Sequence, residues 1–357
     1  MPGTQQTPWA HHGLAALTDG RIVTFTPGNN VMRIVDPDGR LLAEHATELV
    51  TAHGVTPAVE DGRELLWIAD TVSAPRPDPD GGYSPWYGPG HGRVLALGLD
   101  GSIERELELP PLPVYESQRF EPTAVLPLPG FGQVWVSDGY GAGLVHRYST
   151  GGDYLGIAPA SRDGAFSCPH AMVQDGGRVI VADRENDRLV TLDPEGQLIG
   201  TFADGLRRPS CLAFREETLV VGELSASVAL LDRDGRLMGR HGTDATAVER
   251  PGWPNALSHG GATIAPQVPA ERFNSPHAVA VDAAGRIHVV EWLVGGRHVR
   301  FNPDGAGPAT VLWPTAPADP GLPPSEAAAP PVPSDRGRVG SGRAGRGRPW
   351  HHQHADF

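Results

Sequence analysis

The sequence predicts an all-β fold, a six-bladed β-propeller, and three observations predict it. The first is a repeat: six copies of one pattern start near Gly13, His53, Pro122, Pro169, Pro209 and Pro276, about 40 to 70 residues apart. The second is a recurring turn. In Asp193-Pro194-Glu195-Gly196 the proline presets φ and the glycine accepts a positive φ. The same turn returns as Asp36 to Gly39, Asp232 to Gly235 and Asn302 to Gly305. The third is composition: 46 Gly and 36 Pro among 357 residues, without strongly periodic helical stretches, favour many short strands joined by turns.

Each copy reads as an apolar strand, a turn, a second strand ending in an acidic residue, a short loop, a third strand and the Asp-Pro-x-Gly turn. The fourth copy shows it best, from His170 through the acid Asp183 to Asp193 and Gly196. Asp70, Asp138 and Asp183 at these strand ends are expected to brace loops or to orient ligand imidazoles. In the sixth copy Glu291 and Trp292 take that place, and would present an acid and an aromatic wall to a central cavity. Two insertions stretch the period: Ser73 to Gly92, with Tyr83, Trp86 and Tyr87, and Thr243 to Arg272, with Trp253 and His259. Such insertions map to one rim of a propeller, often the binding face. The expected organisation is an N-terminal extension at 1–12, the propeller at 13–312 and a tail at 313–357. The tail is Pro/Ala-rich, then Gly/Arg-rich, and ends with His351, His352 and His354; its composition predicts disorder. The N-terminal stretch is a candidate to supply a strand to the last blade.

The bulk chemistry narrows the function classes. Net charge is −13, and the acidic residues are spread along the chain, so no basic stripe for nucleic acid is present. No apolar run reaches the length of a membrane span, and the first residues show neither a basic region nor an apolar core of a secretion signal. The two cysteines, Cys168 and Cys211, lie in different copies, which argues against a disulfide framework. A monomeric cytoplasmic protein acting on a small molecule or a peptide terminus is expected.

The residues that could carry chemistry are three histidines. His53, His170 and His277 stand at the same place in every second repeat, each just before an apolar strand. Blades two, four and six of a six-fold ring are related by a three-fold rotation, so equivalent side chains converge on the axis. Three neutral imidazoles with no fourth ligand describe an open catalytic metal site, and an all-nitrogen set favours zinc. The alternative is a stack of channel-lining histidines without metal. Blade three has Thr123 at the matching place, and blade five Ser210 or Cys211. Blade one has His12, either a fourth ligand or an unrelated end residue. Cys168, just before His170, is either a thiolate ligand or a small buried hydrophobe.

Around these histidines the chain resembles the peptidyl-α-hydroxyglycine α-amidating lyase family of NHL-type propellers, over roughly residues 13 to 308. The motifs that carry the resemblance are Pro-His-Ala at blade starts, Val136-Ser137-Asp138-Gly139-Tyr140, and Val181-Ala182-Asp183-Arg184-Glu185-Asn186. The resemblance implies that His53, His170 and His277 hold a zinc, that Tyr140 and Arg184 line the same cavity, and that the reaction cleaves a carbinolamide N–C bond. On chemical grounds Tyr140 would then serve as base and Arg184 would receive a substrate carboxylate. This chain departs from the family in three places. Thr26 to Asn30 replaces a blade-one Arg motif, Ala278 stands where an Asp binds structural calcium, so no calcium is expected, and Gly141 replaces a cysteine after the tyrosine. Together they imply a relative with a changed substrate. Two other functions fit the pattern: a metal-dependent hydrolase or dehydratase at the same site, and a non-catalytic binding or scaffold propeller.

Overall fold

The computed structural model describes residues 7–28, 31–305 and 309–313; the predicted tail beyond Trp313 lies outside the described residues. Among the described residues, six four-stranded antiparallel sheets follow one another along the chain, spanning 15–45, 52–106, 124–157, 169–203, 209–241 and 276–313. They are the six blades of a β-propeller. Five blades are simple meanders. In blade two the third strand, Arg93–Leu97, pairs with Arg63–Asp70 only after the chain has made a separate hairpin from Ser73–Pro77 and Tyr83–Tyr87.

The second strand of each blade is buried on both faces, as in Leu65 to Asp70 and Val179 to Asp183, because it packs between two neighbouring blades. Unbroken apolar runs are what such a position requires. The core therefore lies between sheets rather than on the axis. Trp67 and Val94 of blade two meet Val125, Val134 and Tyr148 of blade three. Leu14, Ile22 and Val35 of blade one meet Ala278, Ala280 and Val290 of blade six, which closes the ring. The outermost strand of blade six, Thr310–Trp313, comes from the C-terminal side, so every strand of that sheet is local in sequence. The N-terminal stretch contributes one bridge, Trp9 to Val294, backed by Ala10 N to Leu293 O at 2.9 Å and Gly295 N to Pro8 O at 2.7 Å.

The expected turn chemistry is present. Asp193 Oδ1 accepts the amides of Glu195 (3.0 Å) and Gln197 (2.8 Å), and Gly196 has φ +82°. Asp36 and Asp232 do the same. The strand-end acids are loop braces. Asp70 accepts the amides of Val50 and Thr51 and pairs with Arg93. Asp183 accepts Ser167 N and pairs with Arg188, and Glu223 accepts Arg207 N and pairs with Arg240. Each acid pins the segment entering its own blade's innermost strand. Glu291 belongs to this set: it takes the amide of Ser275 and pairs with buried Arg297. It is not the cavity acid expected from its position, because the backbone amides and Arg297 occupy its carboxylate. Among the described residues no helix is long and apolar enough to cross a membrane.

Candidate metal centre

The innermost strands of blades two, four and six begin at Ala52, Pro169 and Pro276, so His53, His170 and His277 all sit near the start of an inner strand. The ring centroids lie 4.8 Å apart for His53 and His170, 4.7 Å for His53 and His277, and 5.3 Å for His170 and His277. All three are buried. Below them an axial cavity of about 80 Å³ runs between the inner strands, past Val55, Met172 and Val279.

Alternate blades orient the rings. His53 Nδ1 donates to the carbonyl of Thr123 in blade three at 2.7 Å, and His170 Nδ1 donates to that of Ser210 in blade five at 2.6 Å. Thr123 and Ser210 thus stand where the sequence placed them, but they act through their backbone oxygens. Their hydroxyls reach on to Pro169 O and Pro276 O, both at 2.7 Å, and lock each odd blade to the next even one. For His277 the corresponding neighbour is the backbone of His12, which favours its charged form, although neither ring nitrogen makes a hydrogen bond of ordinary geometry. Burial pushes His53 down to about 3, against the Thr123 carbonyl and with help from the Arg184 charge. Burial also pushes His170 and His277 well below the usual range. The rings are neutral, and with Nδ1–H fixed on a carbonyl, Nε2 of His53 and His170 is a bare lone pair.

A fourth imidazole stands with them, and it is His11. His12 instead turns away, with Nδ1 on Gly13 O at 3.1 Å, and burial lowers it to about 4. The ring of His11 is 4.7 Å from that of His53 and 4.9 Å from that of His277, and these three offer ligand atoms all within 4.8 Å of one another. The segment 7–12 delivers it, crossing from blade six to the axis. The sequence signal was the His11-His12 pair itself, but only the Trp9 bridge to blade six decides which ring faces inward.

Tyr140 and Arg184 follow the second strands of blades three and four and reach the same point. The Tyr140 hydroxyl lies 3.0 Å from His53 Nε2, 2.9 Å from His170 Nε2 and 3.2 Å from His11 Nε2, and Arg184 Nη1 approaches it at 3.4 Å. Burial raises the Tyr140 pKa, with Arg184 opposing. Arg184 is buried, and its Nε is held by Glu185 at 2.7 Å. Cys168 stands beside this pair with φ +58°. Burial lifts its thiol to about 11, so it is not a thiolate near neutrality. Trp292 is buried, with its ring 6.1 Å from that of His11 and 5.2 Å from that of Trp9.

Both insertions cover this rim. The second one forms a short hairpin, Ala256–Leu257 with Thr263–Ile264, and Thr263 N donates to Gly81 O of the first at 2.9 Å.

No family model matches the chain, and neither does any curated protein. Among solved structures it is similar to a streptogramin B lyase, at 14% identity over 87% of this chain and 95% of that one, with a TM-score of 0.48. A catalytically inactive virginiamycin B lyase from Staphylococcus aureus with quinupristin gives 14% identity over 88% and 87%, with a TM-score of 0.49. The WD40 propeller domain of Doa1 gives 11% identity over 85% and 95%, with a TM-score of 0.47. The six-bladed architecture rests on the strand pairing described above, and these likenesses assign no activity to the chain.

Proposed function

We propose that the axial site is the zinc centre of a lyase similar to the amidating lyases, cleaving a carbinolamide-like C–N bond in a small molecule or a modified C-terminal glycine. The observation that carries this reading is a shortage of protons at the axis. The Tyr140 hydroxyl has one proton to donate, yet two fixed acceptors, His53 Nε2 and His170 Nε2, face its oxygen at 3.0 and 2.9 Å. Both ring nitrogens of His277 lack a hydrogen bond of ordinary geometry. Buried lone pairs without donors are costly, and a cation among neutral imidazoles relieves the conflict.

His53, His170 and His277, equivalent by the repeat, would hold the ion, and an imidazole set suits zinc. When bound, the metal supplies Lewis acidity that lowers the pKa of a substrate hydroxyl. Tyr140 would act as a phenolate, its own proton given up beforehand with the Arg184 charge in support, and would accept that hydroxyl's proton as the C–N bond opens, giving an aldehyde and an amide nitrogen that takes up a proton. Arg184, with Nε on Glu185 and Nη1 near Tyr140, has its Nη2 left to meet a substrate carboxylate.

The test is metal content, with His351, His352 and His354 replaced by alanine so that they bind nothing. About one zinc per chain, lost in His53→Ala, His170→Ala and His277→Ala but kept in His11→Ala, supports the triad. Metal lost in His11→Ala and kept in His170→Ala moves the ion to His11, His53 and His277. No uptake of zinc on titration sinks the reading.

A further inference from the structure

Beside the axial site lies a second cavity, of about 180 Å³, roofed by the N-terminal segment and floored by blades one and two. His11 forms one wall, so the cavity adjoins the imidazole ring. Pro8, Trp9 and Pro75 give it apolar sides, and Arg76 stands at its edge. At about 30 Å³ per water in the liquid, it has room for a group of roughly six heavy atoms.

The charge around this cavity is of one sign. Among the described residues no carboxylate lines it. Arg76 is its one cation among the described residues. Its guanidinium carbon sits 3.3 Å from the centroid of the Trp86 ring, within the first insertion's hairpin. Stacking fixes the plane of the fork and leaves its edge to bind. The other arginines near this rim are committed, Arg93 to Asp70, Arg297 to Glu291 and Arg119 to Gly88 O, while Arg184 faces the histidine ring and does not line this cavity. Among the described residues no carboxylate pairs with Arg76, and burial alone shifts its pKa, downwards. A partly desolvated guanidinium held flat and without a counter-charge, at the edge of an apolar cavity that opens beside the reacting centre, is the arrangement that recognises a planar anion.

We propose that this cavity is the substrate-recognition pocket, and that it takes a small carboxylate with an apolar body, the carboxylate on the edge of Arg76 and the body against Trp9 and Pro75. This rests on the reading that chemistry takes place at the histidine ring. Arg76 is then a specificity-determining residue supplied by an insertion, distinct from Arg184, which lies across the axis on blade four.

The test is binding of butyrate and of its neutral amide, butyramide. Titration calorimetry gives the affinities, and tryptophan emission reports the site because Trp9 and Trp86 flank it. Both probes are measured on the protein as purified and after EDTA treatment. The expected result is binding of the carboxylate about tenfold tighter than the amide, the worth of one charge-assisted fork, with or without metal. Arg76→Gln should abolish the preference and leave amide binding unchanged, while Arg76→Lys restores part of it. Arg76 is exposed, so neither substitution threatens folding, and unchanged thermal melts verify that. Equal affinity for the two probes, no saturable binding of either, or a preference that survives Arg76→Gln would overturn the proposal. A preference that vanishes with EDTA would also overturn it while leaving the metal centre intact. Carboxylate selectivity through Arg76 in a protein that takes up no zinc would sustain this pocket and remove the lyase.

Discussion

The Tyr140 hydroxyl is the residue-scale crux, because four polar groups converge on one oxygen with a single proton. Tyr140→Phe removes the oxygen and leaves the ring in place, 5.1 Å from His53 and 5.5 Å from His170. The imidazoles keep their carbonyl partners, Thr123 and Ser210, so their lone pairs stay aimed inward. Zinc content is therefore expected to hold. Turnover of a carbinolamide substrate should fall by about 10²–10⁴, the usual worth of a positioned base. A variant that loses zinc along with activity would make the phenol a ligand rather than a base. The histidine triad was legible in the sequence because the repeat carries it. His11 was not, since its place depends on a bridge between Trp9 and Val294 that no local pattern announces.

At the scale of the element, each inner strand has to approach its neighbour closely for the histidines to meet. Gly54 marks one such approach. A Cβ there would lie 2.5 Å from Thr123 O and 2.8 Å from Ala124 Cα, both of the adjoining inner strand. Gly54→Ala must push blades two and three apart at the level of His53. Overpacking of this kind costs about 1–3 kcal/mol. It also strains the 2.7 Å bond from His53 Nδ1 to Thr123 O. A lower urea midpoint together with weaker zinc affinity is the expected outcome, and a stable variant with native affinity would show that the strands are free to yield. The strand-end acids make the same point about what a sequence reveals. Their repeated position predicted either loop braces or partners for the imidazoles, and Asp70 and Asp183 are braces tied to backbone amides and to Arg93 and Arg188. The sequence pattern also suggested Glu291 as a cavity acid, because a strand-end position does not reveal that Arg297, directly opposite it at the start of the next strand, takes its charge. The insertions were visible as breaks in the period, but their mutual contact through Thr263 and Gly81 depends on the closed ring.

At the scale of the whole molecule, the ring buries far more imidazole than the axial site needs, and that sets its response to acid. Away from the axis, burial lowers His146 to about 3, His288 to about 4 and His298 well below the usual value, while His12 sits near 4. An unfolded histidine takes up its proton near 6.5, and these folded ones do not. Their contribution to stability is therefore complete above that pH and is lost as pH falls toward 4. Three buried carboxyls act in the opposite sense. Burial raises Asp70 and Asp138 to about 6 despite their hydrogen bonds, and raises Glu121 above its usual range, so the folded chain holds protons between about 4 and 6 that the unfolded chain releases. Those three stabilise the fold as pH falls through that window. Four histidines, joined by His53, His170 and His277, outnumber three carboxyls, and each uncompensated proton changes stability by about 1.4 kcal/mol per pH unit. The urea midpoint of EDTA-treated protein should therefore fall between pH 7 and 4.5, most steeply near pH 5, where unfolded histidines are almost fully protonated and the folded ones are not. A midpoint that stays level or climbs across this range would mean that the buried imidazoles take up protons in the folded ring. The neutral rings on which the metal centre depends would then be lost as well.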